Sequence, residues 1–154
     1  MKQTKYYSLL LTLVAIALGS PALASSSCRI VSIVNMNFSS YDVFSYIPND
    51  SLGSITLNCS EVQTITITID KGSSTTYNSR TMSQLNYILN YNLYLDASRV
   101  TVWGDGTGGS SQYGPASIAN NANFTVNIYG RIPARQTQVA GGNYTDFVNF
   151  TIIY

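Results

Sequence analysis

The sequence predicts an all-β sandwich of about seven short antiparallel strands. Three observations carry this. Apolar and polar residues alternate with period two in several separate segments. The clearest of these, residues 64–69, alternates threonine with isoleucine, the β-branched types that suit a half-buried sheet. Turn signals separate the segments, and no amphipathic helix follows the N-terminal 24 residues.

Each element follows from its own pattern. Residues 28–38 set Ile30, Val34, Met36 and Phe38 in one alternating register, interrupted only by Ser32, and make a first strand. Residues 39–49 interleave Tyr41, Phe44, Tyr46 and Pro48 with polar residues and predict an ordered loop. Residues 52–59 are a second strand, and residues 61–70 a third that turns at Lys71, Gly72, Ser73 and Ser74. Residues 84–95 place Tyr87, Leu89, Tyr91, Leu93 and Leu95 on one side, with asparagines largely on the other. Residues 100–103 form a short strand running into the glycine-rich 104–109, and residues 124–129 another strand. Residues 144–154 close the series, with Val148, Phe150, Ile152 and Tyr154 on one face and Asn149 and Thr151 on the other. Past Asp146 this strand carries no charge, proline or cover. Its open apolar edge is expected to lie inside a sheet or to accept a strand from elsewhere.

The first 24 residues read as a secretory signal: Lys2 and Lys5, an apolar run from 8 to 18, and a small-residue cleavage site at Ala22-Leu23-Ala24. The run is too short for a permanent span, and no transmembrane segment is expected after cleavage. Residues 25–154 then form a single domain. With Lys2 and Lys5 gone, six Lys/Arg face seven Asp/Glu, a balance that gives no footprint for nucleic acid. The two cysteines, Cys28 and Cys59, are expected to pair in an exported chain. Lipidation of Cys28 is the weaker reading, because Ser25 stands where lipoprotein signals place a large aliphatic residue.

Catalysis has little to use. The chain has no histidine, and its seven carboxylates form no recognisable motif. No cofactor or metal is expected: Asp105 is the lone carboxylate of its loop, whereas calcium takes several oxygens, so the loop reads as a tight turn. Trp103 reads as core. Asp146 and Arg131 are expected to make a structural contact beside the last strand.

Several short blocks then share an order. They are Leu93-Tyr94-Leu95-Asp96; Trp103-Gly104-Asp105-Gly106-Thr107-Gly108; Tyr129-Gly130-Arg131-Ile132-Pro133-Ala134 with Gln136; and Gly142-Asn143-Tyr144-Thr145-Asp146. With Arg80-Thr81-Met82, Phe38, Tyr41-Asp42 and both cysteines, the chain from Cys28 to Tyr154 resembles the spore coat protein U domain family. That family includes secreted subunits of archaic chaperone–usher pili. The resemblance implies an immunoglobulin-like sandwich lacking its final strand, which a neighbouring subunit supplies through donor-strand complementation. It further implies a periplasmic pilus chaperone, an outer-membrane usher and other pilus subunits as partners. The route would run through the periplasm to the cell surface, in a pilus or coat, with roles in adhesion and biofilm formation.

An acceptor groove is expected between Ile30, Val34, Met36 and Phe38 on one side and Val148, Phe150, Ile152 and Tyr154 on the other. After cleavage only Ser25, Ser26 and Ser27 precede Cys28, too little apolar chain to donate a strand. An accept-only subunit belongs at a fibre tip or in a capped complex. Two other readings stand beside it: a self-sufficient coat or extracellular-matrix protein, and a secreted binding module whose ligand sits in the loops at 103–113.

Overall fold

A computed structural model describes residues 28–154; the signal segment at 1–24 and the three serines after it lie outside the described residues. Eight strands follow one another there: β1 (Cys28–Val34), β2 (Asn49–Cys59), β3 (Gln63–Ile69), β4 (Arg80–Gln84), β5 (Tyr87–Tyr94), β6 (Tyr113–Ile118), β7 (Asn123–Ile132) and β8 (Phe150–Ile153). They form two antiparallel sheets, one ordered β1-β2-β7-β5-β4 and the other β6-β3-β8. Isoleucines 65, 67 and 69 of β3 are buried against Ile55 and Leu57 of β2, Leu89, Tyr91 and Leu93 of β5, and Val126 and Ile132 of β7. Burial of such side chains, about 25 cal/mol per Å² of apolar area, drives the two sheets together.

Cys28 and Cys59 face each other across the β1–β2 ladder and are joined, with an S–S distance of 2.06 Å. The bridge fastens β1 to β2, its one neighbour among the described residues. Within β1 the register slips by one residue between Ile30 and Ser32, so Val31 is an extra residue opposite nothing. Ile33, rather than Val34, then shares a side with the buried Ile55, and Val34 pairs with Ser54. The single register expected for Ile30, Val34, Met36 and Phe38 is therefore broken at Ser32, and Met36 and Phe38 lie beyond the strand's end.

Two strands carry no clear alternation of aliphatic residues. In β4 the buried positions are Arg80 and Met82, and β6 contains Gly114, Pro115 and Ala116. Residues 100–103, expected as a strand, make only isolated bridges, Tyr94 with Val102 and Trp103 with Ser111. Trp103 is fully buried, and its indole N–H donates to the Ile67 carbonyl at 3.0 Å.

A polar cluster sits inside the same region. Arg80 has no exposed surface and donates to the Asp70 carbonyl (2.7 and 3.2 Å), the Trp103 carbonyl (2.8 Å) and Asn92 Oδ1 (2.7 Å). The Tyr77 ring lies 5.3 Å from its guanidinium carbon. Burial pulls the Arg80 pKa below its ordinary value, but a guanidinium starts so high that it stays charged. Asn92 completes the cluster by donating to the Tyr77 and Asn78 carbonyls.

Candidate functional site

The sandwich opens along one side. There an apolar cleft of about 460 Å³ lies between residues 33–38, at and beyond the end of β1, and residues 144–150, leading into β8. Ile55, Ile69, Met82, Tyr91, Leu93 and Ile128 line its depth. A second cavity of about 680 Å³ shares Met36, Phe38, Met82 and Tyr144 with it and continues toward Tyr41, Leu89, Ile132 and Val139. The trench therefore runs between these two segments, which adjoin β1 and β8, the end strands of their sheets among the described residues.

Gly130 explains how Met36 and Phe38 reach into it. A Cβ on Gly130 would stand 2.7 Å from Met36 Sδ and 2.7 Å from the Phe38 ring, so only glycine lets both side chains settle on β7. Phe38 then meets the Tyr91 ring edge-on at 6.0 Å.

The opposite wall is held unusually. The last strand was expected from residue 144, yet ladder pairing begins only at Phe150, opposite Ile69. Residues 146–149 hang instead on two aspartates. Asp146 Oδ1 accepts from the Ser73 N–H (3.0 Å), the Ser73 hydroxyl (2.7 Å) and the Phe147 N–H (2.9 Å), while Oδ2 accepts from the Tyr91 hydroxyl (2.6 Å). Gly72 lies so close that a Cβ there would be 2.2 Å from Asp146 Oδ2. Asp70 accepts from the Asn149 N–H (3.0 Å), the Asn149 amide (2.8 Å) and the Gly72 N–H (2.9 Å), and its own N–H donates to the Asn149 carbonyl (2.9 Å). Burial acts to raise the Asp70 pKa, but these hydrogen bonds and the Arg80 charge outweigh it and hold it below the ordinary value. Burial, with the Asp146 hydrogen bond second, pushes the Tyr91 hydroxyl far above its usual range, so it remains a donor. Among the described residues nothing bonds to the Val148 N–H or the Phe147 carbonyl.

The structure brings together Val34, Met36, Phe38, Val148 and Phe150 of the eight residues expected around a groove. Ile30, Ile152 and Tyr154 lie outside the lining. Ile30 pairs opposite Leu57 before the register slip, Ile152 pairs with Ile67, and Tyr154 follows the end of β8. Ile33, Tyr91 and Asp146 line the cleft without having been expected there.

The contact expected between Asp146 and Arg131 is not made. Arg131 instead forms a two-point ion pair with Asp50 (2.7 and 2.9 Å), its neighbour across the β2–β7 ladder, and Asp146 serves the wall. In the glycine-rich loop Asp105 Oδ1 accepts from the Thr107 N–H and hydroxyl, closing the turn at Gly106. Gly104 packs against Ser110 and Tyr77 with no room for a Cβ. Among the described residues no group of three or more His, Cys, Asp or Glu could hold a metal ion. The buried Trp103 offers no face for a ligand to stack on. Tyr129 lies on β7 with the Arg99 guanidinium 5.9 Å from its ring, and the Tyr144 hydroxyl donates to the Ala140 carbonyl at 2.9 Å.

The description Spore Coat Protein U domain matches residues 13–151, nearly the whole chain. The chain belongs to that family. Among curated proteins no sequence matches this spore coat protein U domain protein. Among solved structures, it is similar to a chain of the CsuC–CsuE chaperone–tip adhesion subunit pre-assembly complex from archaic chaperone–usher Csu pili of Acinetobacter baumannii. The identity is 20% and the TM-score 0.54, over 84% of this chain and 40% of the other. The likeness is one of fold, and this domain spans about two fifths of that chain's length. The motif residues from Trp103 to Asp146 build turns, the core and the cleft wall of the fold; they do not gather into one reactive centre.

Proposed function

We propose that this protein is a structural subunit of an archaic chaperone–usher pilus, exported through the periplasm and completed by a strand from a partner. The observation that carries the reading is the cleft. It is an apolar trench flanked by β1 and β8, which among the described residues are the end strands of their sheets, the kind of edge that β-augmentation fills with main-chain hydrogen bonds and alternating side chains. Family membership and the likeness in fold to a chain of a chaperone–subunit complex support it. A periplasmic chaperone would occupy the trench first, an usher would pass the subunit outward, and a neighbouring subunit would take the chaperone's place. Fibre-tip placement, with adhesion and biofilm formation as its roles, rests on cleavage after Ala24, which N-terminal sequencing of the exported protein checks.

The test is co-expression with the cognate chaperone. Wild-type protein should co-purify with it, and Phe150→Asp, which puts a charge on the cleft wall, should not. Full chaperone binding by Phe150→Asp would refute the acceptor reading. A stable, soluble monomer made with no chaperone would favour a self-sufficient coat protein.

A further inference from the structure

We infer that Asp146, with Asp70, is a positioning residue for strand capture: the two carboxylates hold residues 146–149 in the open-wall conformation that an incoming strand needs. The inference rests on the reading of the cleft as a strand acceptor, and it assigns to these side chains a role distinct from lining the cleft.

Before Phe150 the wall makes only the isolated Ser83–Thr145 bridge and the Asp70–Asn149 backbone bond, so the course of residues 146–148 between them must be set by something else. The cleft below it is floored by the buried Ile69, Met82, Tyr91 and Leu93, while Val148 and Phe150 on the wall are only half-buried. A loose segment carrying Val148 and Phe150 would gain by collapsing onto that floor, because each buried apolar side chain is favourable. Collapse would also bury the unpaired Val148 N–H and Phe147 carbonyl, at a cost comparable with the apolar gain, so the two come close to cancelling. The aspartates decide the balance. Asp146 gathers four donors from three places, the turn at Ser73, the floor at Tyr91 and the wall itself at Phe147. Asp70 clasps Asn149 by three hydrogen bonds and Gly72 by one. All of these except the backbone bond from Asp70 to Asn149 end on a carboxylate, and such charge-assisted bonds are stronger than neutral ones. Gly72 sits against the Asp146 carboxylate at a distance no side chain could share, so the turn is shaped around this contact. The free backbone groups of Phe147 and Val148 are left facing the place where a strand would pair.

The experiment measures affinity for a synthetic twelve-residue peptide of alternating valine and serine, by fluorescence anisotropy, together with amide hydrogen exchange. Wild-type protein should bind the peptide and gain protection at Val148. Asp146→Ala should bind about tenfold more weakly or worse, the effect of losing roughly one strong hydrogen-bonded contact, while β3 and β7 amides exchange as in wild type. Wild-type affinity in a folded Asp146→Ala would overturn the inference. Should Asp146→Ala also lose core protection, Tyr91→Phe decides, since it removes one hydroxyl and keeps the ring. Weakened capture with an intact core supports the positioning role, and unchanged capture refutes it. Failure of the wild-type protein to bind the peptide, or any chaperone, would instead sink the acceptor reading on which this one depends.

Discussion

Two regions of this sandwich carry apolar side chains to the edge of the core and finish them in opposite ways. Around β4, β5 and Trp103 the interior is closed by a charged side chain that gives four hydrogen bonds to two backbone carbonyls and an amide. Along β1 and residues 146–149 the interior is left open, and polar groups are spent on keeping the wall in place. In both regions apolar pattern supplies the material, and a few hydrogen-bonded polar side chains decide whether the edge is sealed.

The largest effect should come from the closed region. Arg80→Ala would orphan the Asp70 and Trp103 carbonyls, take one of two donors from Asn92 Oδ1 and leave a cavity, so a loss of about 3–5 kcal/mol is expected by urea unfolding. A loss below about 1 kcal/mol would mean that apolar packing alone closes this half.

The open region has one covalent tie. Replacing Cys28 and Cys59 by serine should cost about 3–4 kcal/mol on chain-entropy grounds for a separation of 31 residues. Hydrogen exchange should rise first in β1, the strand that depends on the bridge, and equal loosening of β5 would contradict the contrast.

The smallest effect separates the regions by pH. Asp70 gives up its proton more readily in the folded chain than its ordinary value of 3.8 allows, so the unfolded chain binds protons more tightly and acid favours unfolding. The contribution is complete above about pH 4 and fades as pH falls below it. Asp50 shifts the same way, its hydrogen bond from Arg131 being the largest cause, so the comparison must be with Asp70→Asn. That variant should lose part of the acid dependence, read from melting curves between about pH 2.5 and 5. An unchanged acid profile would remove Asp70 from the wall's support.

Much of the closed framework was legible in sequence. The Thr–Ile alternation of β3 and the spacing of Leu89, Tyr91 and Leu93 name their buried faces directly. β4 was not legible, because one of its inward residues is Arg80, a type almost never buried without partners, and those partners are Asn92 on β5 and the carbonyls of Asp70 and Trp103. β6 carries Gly114 and Pro115, residues depleted in strand interiors, and shows no alternation of aliphatic residues. At the cleft, the pattern located Met36, Phe38, Val148 and Phe150 but not the slip at Val31, although Ser32 breaking the alternation marks the place. The role of Asp146 depends on a turn at Ser73, far away in sequence, and no local pattern carries that.

The slip at Val31 also bears on how the free protein behaves in concentrated solution. β1 is an edge strand whose Ile30, Val31, Ile33 and Val34 are 41–55% exposed, and a flat edge of that kind would template stacking from copy to copy into fibrous aggregate. One extra residue bends the strand and turns its two halves out of phase, so a second copy laid alongside can pair with one half at a time. The same edge is thereby left readable to a strand cut to its shape and poorly readable to itself.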